Sequence, residues 1–172
     1  VGTVNVIGAS ASTFGPAATV DNAGLIDVHG PASVTFNAGV AGPGQINVAA
    51  GASATTLVVA SFGLNVQGTL TVSPGAPSGN VAGVLTVGAA GHLDLNDNKL
   101  IVLGGDVGTH DGANYSGLTG SIASSYNFST WDGPGITTSM PDAGPLVGIT
   151  TLAINTADAT FYAGSTFGGV PV

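Results

Sequence analysis

Through residue 95 the chain alternates apolar and polar positions in short bursts, each introduced by a glycine. Gly2–Val6 (GTVNV), Gly24–Val28 (GLIDV), Gly44–Val48 (GQINV), Gly68–Val72 (GTLTV) and Gly91–Leu95 (GHLDL) all carry apolar residues at their third and fifth positions. That period of two belongs to a strand with one buried face. The five glycines stand 22, 20, 24 and 23 residues apart. A recurrence of that length marks a stacked repeat, here one β-solenoid coil per beat.

Between the bursts lie Gly/Ala/Ser corners, at Gly8–Ser10, Gly30–Ser33, Gly51–Ser53 and Pro74–Ser78, followed by second apolar stretches at Ala18–Val20, Ser33–Phe36, Thr56–Val59 and Gly63–Val66. A corner needs positive φ or close backbone approach, and glycine supplies both. The additional burst Gly83–Val87 (GVLTV) falls between two beats and is read as a second face of the fourth coil. A β-sandwich also uses short, regularly spaced strands, but the same phrase then returns once per hairpin rather than once per coil. The predicted fold is therefore all-β: a parallel β-helix-like β-solenoid of about four to five coils over residues 1–103, then a β-rich C-terminal capping and assembly segment over 104–172.

In that second part the rhythm changes. Gly104–Ala113 reads as a loop, Ser116–Ser125 as one short helix, and Trp131–Ile136 as a turn-rich stretch, with strand character returning at Gly148–Ile154 and Ala159–Tyr162. Tyr115, Tyr126, Phe128, Trp131, Phe161, Tyr162 and Phe167 all fall here. Such bulk is expected where an open solenoid end needs a cap. Asn96–Lys99 (NDNK) reads as a tight turn between two strands.

Composition narrows the function. All nine acidic residues are aspartate, Lys99 is the one basic residue and the net charge is −8. Helix-surface residues are nearly absent, which argues against a helical domain, and nothing is present to neutralise phosphates, which excludes nucleic acid as a partner. A hydroxyl-rich surface with a single trypsin-type cleavage site suits an extracellular protein. Cysteine is absent, so no disulfide framework exists. No apolar run is long enough to span a bilayer, so membrane insertion is not expected. Val1 is not an initiator methionine and no leader pattern is visible, which points to a mature or processed chain.

Leu93–Val102 (LDLNDNKLIV), Ser121–Asn127 (SIASSYN) and Trp131–Ser139 (WDGPGITTS) together resemble the C-terminal region of secreted planctomycete-type bacterial β-solenoid surface proteins with autotransporter-associated-like β-strand repeats. The resemblance covers about residues 83–172 and implies an exported surface or matrix protein with no catalytic residues to carry over. Members of that family often continue into a dockerin-like calcium module and a sorting tail. This sequence stops at Phe167–Val172 (FGGVPV), so neither sorting nor cohesin pairing is carried over.

Candidate chemistry is sparse. Asp94, Asp97 and Asp106 are a conceivable acid/base group, but a polyanion-cleaving enzyme also needs cations and only Lys99 exists, so no enzyme activity is expected. Asp94, Asn96, Asp97 and Asn98, or Asp106, Asp111 and Asn114, offer oxygen ligands for Ca²⁺ without a recognised calcium-loop spacing; turn chemistry explains them better, and no cofactor is expected. His29, His92 and His110 have no zinc-like spacing. Trp131 and Tyr126 are candidate glycan-stacking residues, although a tryptophan beside Gly-Pro-Gly more often fills a cap core. Asn114 and Asn127 match the N-glycosylation pattern.

The leading expectation is an extracellular structural protein that polymerises with itself, end to end, by β-stacking or strand addition. The expected assembly residues are Val1, Val4, Val6, Phe161, Tyr162, Phe167, Val170 and Val172, all in apolar, uncharged terminal segments. The alternative is a surface-displayed module that binds extracellular glycans or mediates adhesion.

Overall fold

The computed structural model describes residues 2–9, 11–15, 19–76, 79–146, 148, 150–156, 164–167 and 169–171. Two parallel sheets wind together into a β-solenoid. The first coil contains β1 (Thr3–Val6), β2 (Ala11–Phe14) and β3 (Val20–Asp21); next come β4 (Leu25–Val28), β5 (Ser33–Phe36) and β6 (Val40–Val48). The winding continues through β7 (Ser53–Thr56), β8 (Val59–Val66), β9 (Thr69–Val72), β10 (Asn80–Val87), β11 (His92–Asp94) and β12 (Leu100–Val102). A helix, α1 (Gly117–Tyr126), precedes β13 (Gly135–Thr137), and a short antiparallel pair, β14 (Thr166–Phe167) with β15 (Val170–Pro171), comes last.

Sheet A runs in the order β1-β4-β6-β8-β10-β12, with β3 also paired to β6; sheet B runs β2-β5-β7-β9-β11-β13. The long strands β6, β8 and β10 each turn a corner, so every coil shows three faces. On the first face Thr3 pairs with Leu25, Leu25 with Gln45, Gln45 with Gly63 and Gly63 with Val84, which makes five coils. Sheet B is the second face, and the third carries the column Val20, Val40, Val59.

Period two does its expected work in each face. Val6, Val28, Val48 and Val66 stack inward in one buried column, beside Ile26, Ile46 and Leu64. From sheet B come Val34, Ala54, Leu70, Leu93 and Ile136. Phe14 stacks on Phe36 at 5.0 Å between ring centroids. Outward residues form ladders: Asn47 donates from Nδ2 to Asp27 Oδ1 (2.5 Å) and Asn65 from Nδ2 to Asn47 Oδ1 (2.7 Å). Each such bond ties one coil to the next in register.

The expected beat is corrected in one respect. Gly68–Val72 and Gly91–Leu95 lie on sheet B, as β9 and β11, whereas Gly63–Val66 and Gly83–Val87 continue the first face begun by Gly2–Val6. Both faces are entered through a glycine and alternate with period two, so the phrase alone does not distinguish them. Close approach, not positive φ, is what the phrase-opening glycines supply. A Cβ would lie 1.8 Å from Gly2 O at Gly24, 2.4 Å from Gly24 O at Gly44, 2.3 Å from Ala52 O at Gly68 and 2.1 Å from Val66 O at Gly91.

Beyond β12 the chain holds two more sheet bonds, Leu103 N to Ala82 O and Gly104 N to Gly83 O, and then departs. The expected helix forms as α1, which lies between β12 and β13 in the chain and packs Leu118 and Ile122 against the core. Ser125 Oγ donates to Ile136 O, fixing α1 to β13. Because β13 pairs with β11, sheet B extends past residue 103. The strand expected over Gly148–Ile154 is not formed: 150–156 has no regular structure among its described residues. The stretch Ala159–Tyr162 lies outside the described residues. No helix among the described residues is long and apolar enough to cross a membrane.

Candidate functional site

The two ends of the solenoid differ. At the first coil, β1 and β2 each have one pairing partner, β4 and β5, and an open edge on the other side. Leu25 N donates to Gly2 O and His29 N to Val6 O. Parallel pairing alternates along a strand, so Val4 and Val6 turn their backbone groups toward β4 while Thr3 and Asn5 turn theirs to the open edge. Val4, in line with the buried column of Ile26 and Ile46, is 46% exposed because no coil covers it.

At the other end the first face stops at Val84–Val87 of β10. Gly88 N donates to Val66 O, so by the same alternation Leu85 and Val87 turn their backbone groups away from β8. They face a groove of about 300 Å³ whose far wall is Gly104–Asp106 and the start of α1, at Gly117, Leu118 and Ser121. The Val84–Val87 edge and the β1 edge thus belong to one strand column, in one register.

Of the other expected assembly residues, Val6 is buried and already packed within its own coil. Phe167 and Val170 pair in the β14–β15 hairpin, and Lys99 Nζ lies 5.6 Å from the centre of the Phe167 ring. Val1, Phe161, Tyr162 and Val172 lie outside the described residues.

Trp131 is 6% exposed, and its indole N–H donates to Ala143 O at 3.0 Å. Tyr126 meets it edge-on at 5.2 Å and keeps one side in solvent. The tryptophan face is therefore enclosed in the cap rather than offered as a stacking platform. Phe128 does not join that cap core: it is 90% exposed. Asn114 is exposed; Asn127 is also exposed, but its Nδ2 donates to Asp132 Oδ1 at 2.6 Å, so attachment of a glycan there costs that bond.

The loop over Trp131 is unusual, since Asn127, Phe128, Ser129 and Trp131 all have positive φ. For non-glycine residues that conformation costs of the order of 1–2 kcal/mol each, and side-chain bonds hold it. Hydrogen bonds from Thr130 Oγ1 and Asn127 Nδ2 keep the Asp132 carboxyl below its ordinary pKa of 3.8. A depressed folded-state value stabilises the fold above the unfolded value and loses that contribution as pH falls through the folded one. Acid titration is thus expected to leave the fluorescence of the single tryptophan unchanged through pH 3.8 and to shift it only below. In Asp132→Asn that late step should disappear; if it persists, another group holds the loop.

Of the expected oxygen clusters, Asp106 and Asp111 close local turns, whereas Asp97 and Asn98 tie their corner to the Gly75–Ala76 corner one coil earlier. Asp97 Oδ1 accepts from Gly75 N, Asn98 Oδ1 from Ala76 N, Asp106 Oδ1 from Gly108 N and Asp111 Oδ1 from Ala113 N and Asn114 N. The NDNK stretch turns a corner between sheets B and A, with Asn96 at φ 50°. No group of three or more His or Asp side chains among the described residues is placed to hold a metal ion. The histidines are apart: His29 meets Asp27 at 2.9 Å, His110 packs at a tilt against Tyr115, and His92 lies on sheet B.

His92 lines a second groove, of about 450 Å³, on the outer face of sheet B. Thr69, Thr71, His92, Asp94 and Thr137 form its floor, and Trp131 stands beside them. Sequence reasoning missed it because the floor gathers residues of three coils. The one signal was the outward Thr, His and Asp positions within the GTLTV and GHLDL phrases. No protein family, no curated protein and no solved structure matches this chain.

Proposed function

We propose that this chain is an extracellular structural β-solenoid that assembles head to tail, the β1 edge of one copy adding to the Val84–Val87 edge of the next. The observation that supports the reading is the shared column: β1 has its free edge on Thr3 and Asn5, and β10 has the complementary free edge on Leu85 and Val87. Added in the common register, Thr3 meets Val84 and Asn5 meets Thr86, continuing the Asp27–Asn47–Asn65 ladder. Val4 then covers Leu85. The start of α1 forms the far wall of the groove at this edge, so an incoming β1 has to displace it, and the contact is confined to this strand column. A heterologous contact that does not close yields a filament. The scarcity of charge at these edges removes the usual block to edge pairing.

The test is electron microscopy and sedimentation of the wild type beside Asn5→Pro. Proline at Asn5 removes an N–H that faces the open edge and leaves the bonds to β4 intact. Filaments in the wild type and monomers in Asn5→Pro, with the same circular dichroism, are expected. Monodisperse wild-type particles, or filaments that survive Asn5→Pro, would sink the reading. Display as a glycan-binding module rests on other residues, on the outer face of sheet B.

A further inference from the structure

We propose that the groove on the outer face of sheet B binds one sugar ring of a neutral glycan. The inference stands apart from self-assembly, since the groove is complete within a single copy.

Its floor is a small grid. His92 pairs in register with Thr69 on one side and Gly135 on the other, and Asp94 with Thr71 and Thr137. Neighbouring strands are about 4.8 Å apart and alternate residues along a strand about 6.8 Å, the scale on which a pyranose presents its hydroxyls. Gly135 contributes no side chain, so the grid is hollow at the corner nearest α1; a Cβ there would strike Ser121 O.

The polar groups divide into those that are held and those that are free to bind. Asp94 Oδ1 accepts from Asn96 N and Ser139 N, each at 3.0 Å, which fixes the carboxylate. Asp94 Oδ2, the His92 imidazole and the hydroxyls of Thr69 and Thr71 make no hydrogen bond to another described residue. Thr137 Oγ1 donates to Trp131 O at 2.5 Å and retains acceptor capacity. A fixed carboxylate oxygen with neighbouring hydroxyls and an imidazole matches a polyol, which offers and accepts hydrogen bonds in equal measure. The exposed edge of Trp131, not its enclosed face, is the apolar element at the groove rim.

Charge selects the neutral class. Asp94 and Asp132 lie at or beside the groove, and the one lysine, Lys99, is placed over Phe167. A phosphate, sulfate or uronate would meet carboxylates without a counter-charge. The strained Asn127–Trp131 loop supports the wall, in keeping with the tendency of sparsely populated backbone conformations to occur at binding sites.

The experiment is a ¹⁵N-edited NMR titration of the whole chain with cellohexaose, mannohexaose and chitohexaose, with polygalacturonate as the acidic comparison. At least one neutral hexamer is expected to shift the amides around residues 69–71, 92–94 and 137–139 with a Kd of about 1 mM or tighter. Thr71→Val combined with His92→Ala should weaken it at least about tenfold without moving the thermal melt. Each single variant keeps the test open if the double one unfolds. Absence of any shift with all three at about 10 mM, shifts that map elsewhere, undiminished binding by the variants, or preference for polygalacturonate would each overturn the proposal.

Discussion

Gly68→Ala is expected to destabilise the solenoid by about 3 kcal/mol, the upper part of the range for overpacking a tight interior. The added methyl would stand 2.3 Å from Ala52 O and 2.4 Å from Ala49 O. Both are backbone atoms of the coil below, and both are occupied: Ala52 O accepts from Thr69 N at 3.0 Å and Ala49 O from Ala52 N at 2.9 Å. Neither can rotate away without losing a buried bond, so the coils must separate locally, and Leu70 and Val72, packed immediately after, move with them. For a chain of this length the melting midpoint should fall by about 6–12 °C. Gly51→Ala is the control, because Gly51 has φ +76° and no atom within 4 Å of a Cβ. It should cost only about 1–2 kcal/mol, from its left-handed backbone. Equal melting of Gly68→Ala and wild type would show that coil spacing is not set at this glycine.

That pair of glycines also shows what the sequence made legible. Period two and the recurring glycine identify strands and coils because each inward column is apolar in every turn: Val28 lies on Val6, and Val48 on Val28. The phrase does not say which face it occupies, since GTLTV and GVLTV meet the same local demands on different sheets. Nor does it reveal why glycine is there; the contact partner of Gly68 is some sixteen residues earlier in the chain. The helix was legible as a break in the alternation. Its place across a groove from the Val84–Val87 edge was not, because this depends on where the chain leaves the sheet after β12. The aromatic richness after residue 104 suggested a broad cap core, yet only Trp131 among the described residues there is a buried aromatic. For the candidate site, the outward residues could be read as polar positions on strands. Their convergence under the Trp131 loop could not, because β13 reaches sheet B from beyond a long non-strand excursion.

Asn80 is a polar residue in an apolar column, and the largest effect is expected there from a substitution that barely changes shape. Asn80 is fully buried beside Val59 and Leu100. Its Oδ1 accepts from Val59 N at 2.8 Å and its Nδ2 donates to Lys99 O at 3.0 Å, so one side chain joins the strand before it to the corner after it. Asn80→Leu keeps the volume but leaves the buried Val59 N–H without a partner, a cost of about 1–3 kcal/mol; Lys99 O still accepts from Asn80 N. Asn80→Asp should cost more at neutral pH, because a buried carboxylate loses hydration and turns a second oxygen toward Lys99 O. Burial raises the folded-state pKa of such a carboxyl above its unfolded value. The variant is therefore most stable below the unfolded value, where the protonated group accepts from Val59 N and donates to Lys99 O as the amide does, and it loses stability as pH rises. Urea unfolding at pH 3 and pH 7, with wild type as reference at each pH, should show a deficit at least about 2 kcal/mol larger at pH 7. A deficit independent of pH would mean that the carboxylate reaches water and that Asn80 is not the sealed link between coils that its two bonds describe.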